Sequence, residues 1–174
     1  MDFELDHVFV CVSEGGGPEA DRLAGLGLSE GEPNTHPGQG TACRRFFLAN
    51  AFLELLWVSV PVEARAGQAR RLGLWERWAG RSAGACPFGV CLRPSRPKVA
   101  GLPFAAWPYR PSYLPEPLCF HVGTDSSAAR GPLLVYLPFG RRADSRPGPQ
   151  PPGHRVGLRE VTRVLVWGPT RPRL

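Results

Sequence analysis

The segment at residues 51–58, AFLELLWV, is apolar almost without interruption, yet it carries one carboxylate, Glu54, at its centre. In a β-strand successive side chains alternate between two faces, so Glu54 points to the same side as Phe52 and Leu56. An ionised carboxylate that is buried alone is very unfavourable, and buried carboxylates are therefore paired, bound to a metal or neutralised. A strand of this composition requires a partner for Glu54 elsewhere in the chain.

The opening segment at residues 5–12, LDHVFVCV, offers that partner. Strand alternation places His7 on the face that also carries Leu5, Phe9 and Cys11. Both faces of the segment are mostly apolar, which is typical of a central strand. We expect the two strands to lie close together and to present Glu54 and His7 to one concave pocket.

The other elements follow from hydrophobic period and turn signals. A short helix is predicted to begin at Pro18, because proline is favoured in a first turn and acidic residues follow it. Residues 41–48 and the Glu54 strand predict an antiparallel pair across a turn at Asn50. The further predicted elements are a short strand at 28–32, a polar loop at 33–40, a helix at 70–81, strands at 85–93, 118–122, 133–139 and 159–167, and a short edge strand within the Pro-rich segment 94–117.

The order of these elements predicts an α+β chain with a mostly antiparallel sheet, built from two βαβββ-type modules. The first module is expected at residues 1–62. A divergent second module, which includes the helix at 70–81, is expected at 63–140. An Arg/Pro/Gly-rich loop at 141–158 and a terminal strand and tail at 159–174 complete the chain.

The formal net charge of +6 raises the question of a nucleic-acid partner. Lys98 is the only lysine, and the arginines are spread along the chain without a basic run of five. We therefore expect no nucleic-acid partner. No stretch approaches the ~20 apolar residues of a membrane span, so no membrane partner is expected. The five cysteines form no CxxC pair, which favours free thiols and a cytoplasmic location.

Three segments resemble the vicinal oxygen chelate superfamily, which includes glyoxalase, bleomycin-resistance proteins and extradiol dioxygenases. They are LDHVFV at residues 5–10, FLELL at 52–56 and, between them, NTHPGQGTACRRFF at 34–47, which is similar to the glyoxalase-like branch. The resemblance covers residues 4–60 well and 85–140 loosely. It implies a pair of βαβββ modules whose mixed sheet curls around a cleft that holds a divalent metal, closed either within one chain or across a homodimer.

Members of this superfamily take metal ligands from a His on the first strand and a Glu on the fourth, which correspond to His7 and Glu54. An imidazole and a carboxylate with open positions suit Zn, Ni, Mn or Fe that binds a substrate through adjacent oxygens. Glu54 is then also the candidate catalytic residue. The candidate substrate-binding residues are His36, Arg44, Arg45, Phe46 and His121.

The second half departs from the superfamily pattern, because residues 86–91 contain no His and residues 133–137 contain no Glu. Two functions therefore stay open. One is a metal-dependent lyase, isomerase or dioxygenase that acts on a small oxygenated molecule. The other is a metal-free protein that binds or sequesters a small molecule, as bleomycin-resistance proteins do, in which His7 and Glu54 are simply a buried hydrogen-bonded pair.

Overall fold

The computed structural model describes residues 2–97, 99–126, 128–145 and 153–166. Within these ranges the strands are β1 (Phe3–Cys11), β2 (Asn34–His36), β3 (Thr41–Phe47), β4 (Phe52–Val58), β5 (Phe88–Pro94), β6 (Ala106–Tyr109), β7 (Phe120–Gly123) and β8 (Leu133–Tyr136). The α-helices are α1 (Gly17–Gly25), α2 (Pro61–Ala64) and α3 (Leu74–Ala79), and short 3-10 turns occupy Glu14–Gly16, Ala69–Leu72, Arg81–Ala83 and Ala143–Ser145. No helix of these ranges is long and apolar enough to cross a membrane.

The strands form one mixed sheet in the order β2-β3-β4-β1-β5-β8-β7-β6, which curls into a half-barrel. In the first half β1 runs parallel to β4, and in the second half β5 runs parallel to β8. The two halves meet where β1 and β5 pair antiparallel. The remaining strand pairs are antiparallel as well. The predicted α+β class and the mixed, mostly antiparallel sheet are confirmed.

The outer face of the first half is covered by α1, which begins with Pro18 in its first turn, as predicted. Ala20 of this helix is buried against Val12, Phe46 and Leu55. Strand alternation explains this packing, because alternate residues of β3 and β4 turn towards the helix while the intervening ones turn towards the concave face. Each fully buried side chain of this kind contributes about 1.5–3 kcal/mol.

The helix predicted at 70–81 is interrupted at Gly73, which has a left-handed backbone with φ of 66°. The segment therefore forms a 3-10 turn followed by α3. This helical segment lies before β5 in the chain, and the described residues between β5 and β6 form no helix. In α3, Arg77 is completely buried and donates hydrogen bonds to the carbonyls of Cys86, Gly131 and Ser126. These bonds tie the helix to the second half of the sheet.

The predicted strand at 28–32 does not form, and β2 lies instead inside the predicted polar loop at 33–40. Two positive-φ glycines let the chain reverse directly after His36, at Gly38 (φ 77°) and Gly40 (φ 72°). A side chain at Gly40 would collide with the backbone of Val60. The tight turn therefore depends on glycine, and it makes β2 an edge strand paired with β3.

The predicted terminal strand is wrong for its described part, because residues 159–166 form no strand. This segment lies against the turn between β3 and β4. It is held there by a backbone bond from Ala49 to Arg159 (2.8 Å) and by the side chain of Asn50, which makes two 2.9 Å bonds with the backbone of Val161. The central part of the predicted 141–158 loop (146–152) and the end of the predicted terminal strand and tail (167–174) lie outside the described residues.

Candidate functional site

The concave face of the sheet encloses a pocket of about 300 Å³. The two halves of the chain line it with different chemistry. The polar lining comes mainly from the first half and includes His7, Asn34, His36, Gln39, Arg45 and Glu54. The apolar lining comes mainly from the second half and includes Phe120, Val122, Leu133, Val135, Leu137 and Phe139. The pocket is therefore polar at one end and apolar at the other.

The polar end is centred on Glu54, which is 7% exposed. The parallel register of β1 and β4 places Phe9 beside Glu54 and His7 beside Phe52. In this register Nε2 of His7 lies 3.4 Å from Oε2 of Glu54, and the His7 ring stacks on Phe52 at 4.3 Å between centroids. The two side chains share one pocket. Their role as metal ligands stays a prediction.

The other ring nitrogen of His7 is held by Asp6, at 2.7 Å between Nδ1 and Oδ1. Strict alternation would put the side chains of Asp6 and His7 on opposite faces of β1. The β1–β5 ladder has a register shift between Leu5 and His7, and the side chains of Asp6 and His7 both line the pocket. Asp6 is 1% exposed and lies 3.9 Å from the guanidinium of Arg93. Burial alone would lower the pKa of His7, but Cys91, Asp6 and Glu54 outweigh it and raise this pKa well above the usual value.

His36 approaches Glu54 from the other side, with Nε2 4.0 Å from Oε1. Its Nδ1 lies 3.0 Å from the hydroxyl of Thr41, and that hydroxyl also accepts a 2.8 Å bond from Gln39. The Gln39 side chain in turn accepts a 3.1 Å bond from the hydroxyl of Tyr113, whose ring lies 5.2 Å from that of His36. A hydrogen-bond chain therefore links His36 to a loop of the second half. Burial lowers the pKa of His36.

The carboxylate of Glu54 is stabilised as an anion. Burial opposes its ionisation, but hydrogen bonding and charge from His7, together with the charge of His36, lower its pKa to about 2. Glu54 is therefore ionised at neutral pH. A buried anion faced by two imidazoles is the kind of perturbed cluster that marks functional sites.

Two buried cysteines belong to this cluster, and sequence reasoning did not identify them. Cys43 is fully buried with its Sγ within 4.8 Å of a Glu54 carboxylate oxygen, and Cys91 lines the pocket opposite His7 in the β1–β5 ladder. Burial is the main cause that raises the pKa of both thiols. His36, Cys43 and Glu54 form a set whose ligand atoms all lie within 4.8 Å of one another. The available signal was strand alternation, which puts Cys43 on the same face of β3 as Arg45.

Of the two adjacent arginines, Arg45 enters the pocket, as alternation allows for only one of them. It donates a 2.8 Å bond to the carbonyl of Glu32 and lies over the ring of Phe47. Arg44 points to the opposite face, where it makes a bidentate ion pair with Glu30 at 2.6 and 2.5 Å. Arg44 therefore lies outside the site.

Phe46 and His121 also lie outside the pocket lining, for the same geometric reason. Phe46 is completely buried in the cluster under α1, on the opposite face of β3 from Arg45. On β7 the neighbours Phe120 and Val122 line the pocket, so His121 between them points away from it. His121 packs instead near Tyr136, at 6.1 Å between ring centroids.

No protein-family model matches the chain, and no curated protein matches it. Among solved structures, the chain is similar to a hypothetical protein from Staphylococcus aureus, with a TM-score of 0.44 and 11% sequence identity. The match covers 79% of this chain and 59% of the other, so this chain spans less than two thirds of that protein's length.

Proposed function

We propose that the chain binds a divalent metal ion at the polar end of the pocket and a small oxygenated molecule beside it, in the manner of the vicinal oxygen chelate superfamily that its sequence resembles. The observation that carries this proposal is the convergence of two imidazoles on one buried carboxylate. His7 and His36 approach the two oxygens of Glu54 at 3.4 and 4.0 Å. Imidazole and carboxylate groups are the ligands that Zn, Ni, Mn and Fe share.

The surroundings of the two imidazoles fit such an ion. Metal-binding histidines usually have their second ring nitrogen fixed by a carboxylate, a carbonyl or another polar group, which orients the ring. Here Asp6 fixes Nδ1 of His7, and Thr41 fixes Nδ1 of His36. Nε2 of His7 is thereby directed towards Glu54, and Nε2 of His36 lies between Glu54 and the side-chain amide of Asn34, which is 3.1 Å away. The donor set suits a divalent cation whose positive charge Glu54 helps to balance.

The pocket also limits what lies beside the ion. A volume of about 300 Å³ is at the lower end of the usual range for ligand sites, so the ligand is a small molecule. Its apolar part would contact Phe120, Val135 and Leu137, and its oxygen atoms would point towards Glu54 and Arg45. The asymmetry of the lining sets this single orientation.

A bound divalent ion would supply Lewis-acid stabilisation of negative charge on a substrate oxygen. The chain's own groups then have distinct roles. Glu54, with a pKa of about 2, is a weak base and serves as a ligand. His7 would offer the ion its neutral Nε2 and keep its proton at Nδ1, where Asp6 accepts it. The apolar second half excludes water from the site. Lyase and isomerase reactions use these elements, whereas a dioxygenase would also need a redox-active ion such as Fe(II).

One observation favours a second candidate function, a metal-free binding protein of bleomycin-resistance type. His7 with a raised pKa and Glu54 with a lowered one form a complete ion pair, and Asp6 is likewise balanced by Arg93. The polar end is therefore electrically satisfied by protein groups alone. In this case the pair would bind the polar atoms of a sequestered ligand directly.

Metal analysis separates the two functions. We expect protein purified without chelator, or dialysed against Zn, Ni, Mn or Fe(II), to hold about one ion per chain. The His7→Ala and Glu54→Gln variants should lose most of it. His121→Ala, whose side chain lies outside the pocket, is the matched control and should retain it. Circular dichroism confirms that each variant is folded. A wild-type protein that takes up no ion, but binds an aromatic probe tightly, would overturn the metal proposal and support the binding protein.

A further inference from the structure

We infer that Cys43, bound as a thiolate, is a ligand of this metal together with His36 and Glu54, and that the site therefore selects zinc or a similarly thiophilic ion over magnesium, calcium or manganese. The inference rests on the proposed metal-binding function and deepens it. The sequence indicated only His7 and Glu54 as metal ligands. The thiolate of Cys43 adds a sulfur ligand, and this narrows the expected ion to a thiophilic one.

The three residues come from three adjacent strands and share the concave side of the sheet. In the ladder between β2 and β3, His36 pairs with Thr41 and Asn34 pairs with Cys43. In the ladder between β3 and β4, Arg45 pairs with Glu54. Cys43 is thus the diagonal neighbour of both His36 and Glu54, two positions away on each side. Three strands of fixed register hold the cluster, so its geometry does not depend on a loop.

The distances suit a shared ion. The three ligand atoms lie within 4.8 Å of one another, and among the described residues this is the one such set of His, Cys, Asp and Glu. Zinc lies about 2.3 Å from sulfur and about 2.0 Å from nitrogen or oxygen, so its ligands are separated by roughly 3–4 Å. A small inward movement of side chains is enough to close the site around an ion.

The protonation pattern leaves room for an ion to replace a proton. Thr41 engages Nδ1 of His36, and Nε2, which accepts a 3.1 Å bond from the side-chain amide of Asn34, would exchange that bond for the metal. Sγ of Cys43 lies within 4.8 Å of a Glu54 carboxylate oxygen, and an ion between the two groups would take the place of the thiol proton. On binding, the thiol proton is released to solvent and the sulfur lone pair binds the ion. One thiolate and one carboxylate then balance the two positive charges, which a buried site requires.

A thiolate determines the type of ion. Magnesium and calcium prefer all-oxygen sites, and manganese favours oxygen ligands as well, whereas zinc accepts sulfur, nitrogen and oxygen together. A second thiol, Cys91, lies opposite His7 in the β1–β5 ladder. His7 approaches Oε2 of Glu54, whereas His36 approaches Oε1. The two thiols thus lie with different imidazoles, and an experiment can separate them.

Cobalt(II) substitution tests the inference, because a thiolate ligand gives Co²⁺ an intense near-ultraviolet charge-transfer band that nitrogen and oxygen ligands do not give. The full chain is stripped with chelator and titrated with Co²⁺ without oxygen. We expect the wild type to show the band at one equivalent. Cys43→Ser should lose it, and its Co²⁺ affinity should fall about tenfold or more. Cys91→Ser should keep it, as should Cys119→Ser, the control for a half-buried cysteine.

Each other outcome overturns the inference in a recognisable way. If equilibrium dialysis shows one bound Co²⁺ without the band, the metal-binding function stands and the thiolate ligand does not. If the band disappears in Cys91→Ser and persists in Cys43→Ser, the ligand lies on the His7 side. If the wild type binds no Co²⁺ or Zn²⁺, both proposals fail. Because Cys43 is fully buried, its variants are checked by circular dichroism. If they are unfolded, a band that survives in single variants of the other four cysteines assigns it to Cys43 by elimination.

Discussion

Replacing Glu54 with glutamine removes a buried charge that the structure stabilises with two imidazoles. The pKa of Glu54 is lowered from 4.5 to about 2 in the folded protein, because His7 and His36 outweigh the effect of burial. Each pKa unit corresponds to 1.36 kcal/mol, so ionised Glu54 contributes about 3 kcal/mol of folding free energy. Since the pKa is lower in the folded state, this contribution is complete above pH 4.5 and is lost as the pH falls towards 2.

The expected result is a difference in pH dependence. Between pH 5.5 and pH 3 the wild type should lose about 2 kcal/mol more of its free energy of unfolding than Glu54→Gln does. His7 is protonated in both the folded and the unfolded state over this range, so it adds little slope. Urea unfolding followed by Trp fluorescence, at half-unit pH steps and with chelator present, measures the difference.

Glu76→Gln, which replaces an exposed carboxylate on α3, is the control and should keep the wild-type pH dependence. Equal slopes for the wild type and Glu54→Gln would refute the reasoning, because they would show that folding does not change the ionisation of Glu54. A slope of the opposite sign would mean that burial outweighs the imidazoles.

Two further predictions concern single side chains. Arg77→Met should lower the free energy of unfolding by about 3 kcal/mol or more, because three carbonyl groups lose their donor. The control Arg70→Met replaces an exposed arginine and should change the free energy of unfolding by less than about 0.5 kcal/mol. Equal unfolding midpoints of the two variants in urea would contradict this prediction. In metal-free protein, NMR titration should show the His7 ring still protonated well above pH 6.5, while His36 and His121 lose their protons below it; a His7 ring that titrates with the other two would contradict it.

The convergence of His7 and Glu54 on one pocket could be predicted because strand alternation fixes the face of every side chain once the strand is recognised. The same rule separates Arg45, which lines the pocket, from Arg44, which does not. Strand alternation predicts the wrong face for Asp6, because a register shift in the sheet turns that side chain to the pocket. A register shift depends on the neighbouring strand, and no local pattern reports it.

The rest of the site depends on contacts that sequence patterns do not encode. β2 lies in a segment whose prolines and glycines predict a loop, and it is only three residues long, so its pairing with β3 is set by tertiary context. Tyr113 comes from a Pro-rich loop and reaches Gln39 across the pocket, 74 positions away in the chain. His121 is a sequence candidate because it is the only strand-borne histidine of the second half, but the registers of β6, β7 and β8 decide which face it occupies.

The pairing of β1 with β5 has a consequence for how the molecule could be divided. This ladder runs along nearly the whole length of both strands, from Phe3 opposite Pro94 to Val10 opposite Phe88. A fragment that ended after β4 would expose the backbone of its innermost strand as a bare edge, and such edges recruit other chains. Each half of the sheet therefore covers the edge strand of the other, and we expect that neither half would form a stable monomer on its own.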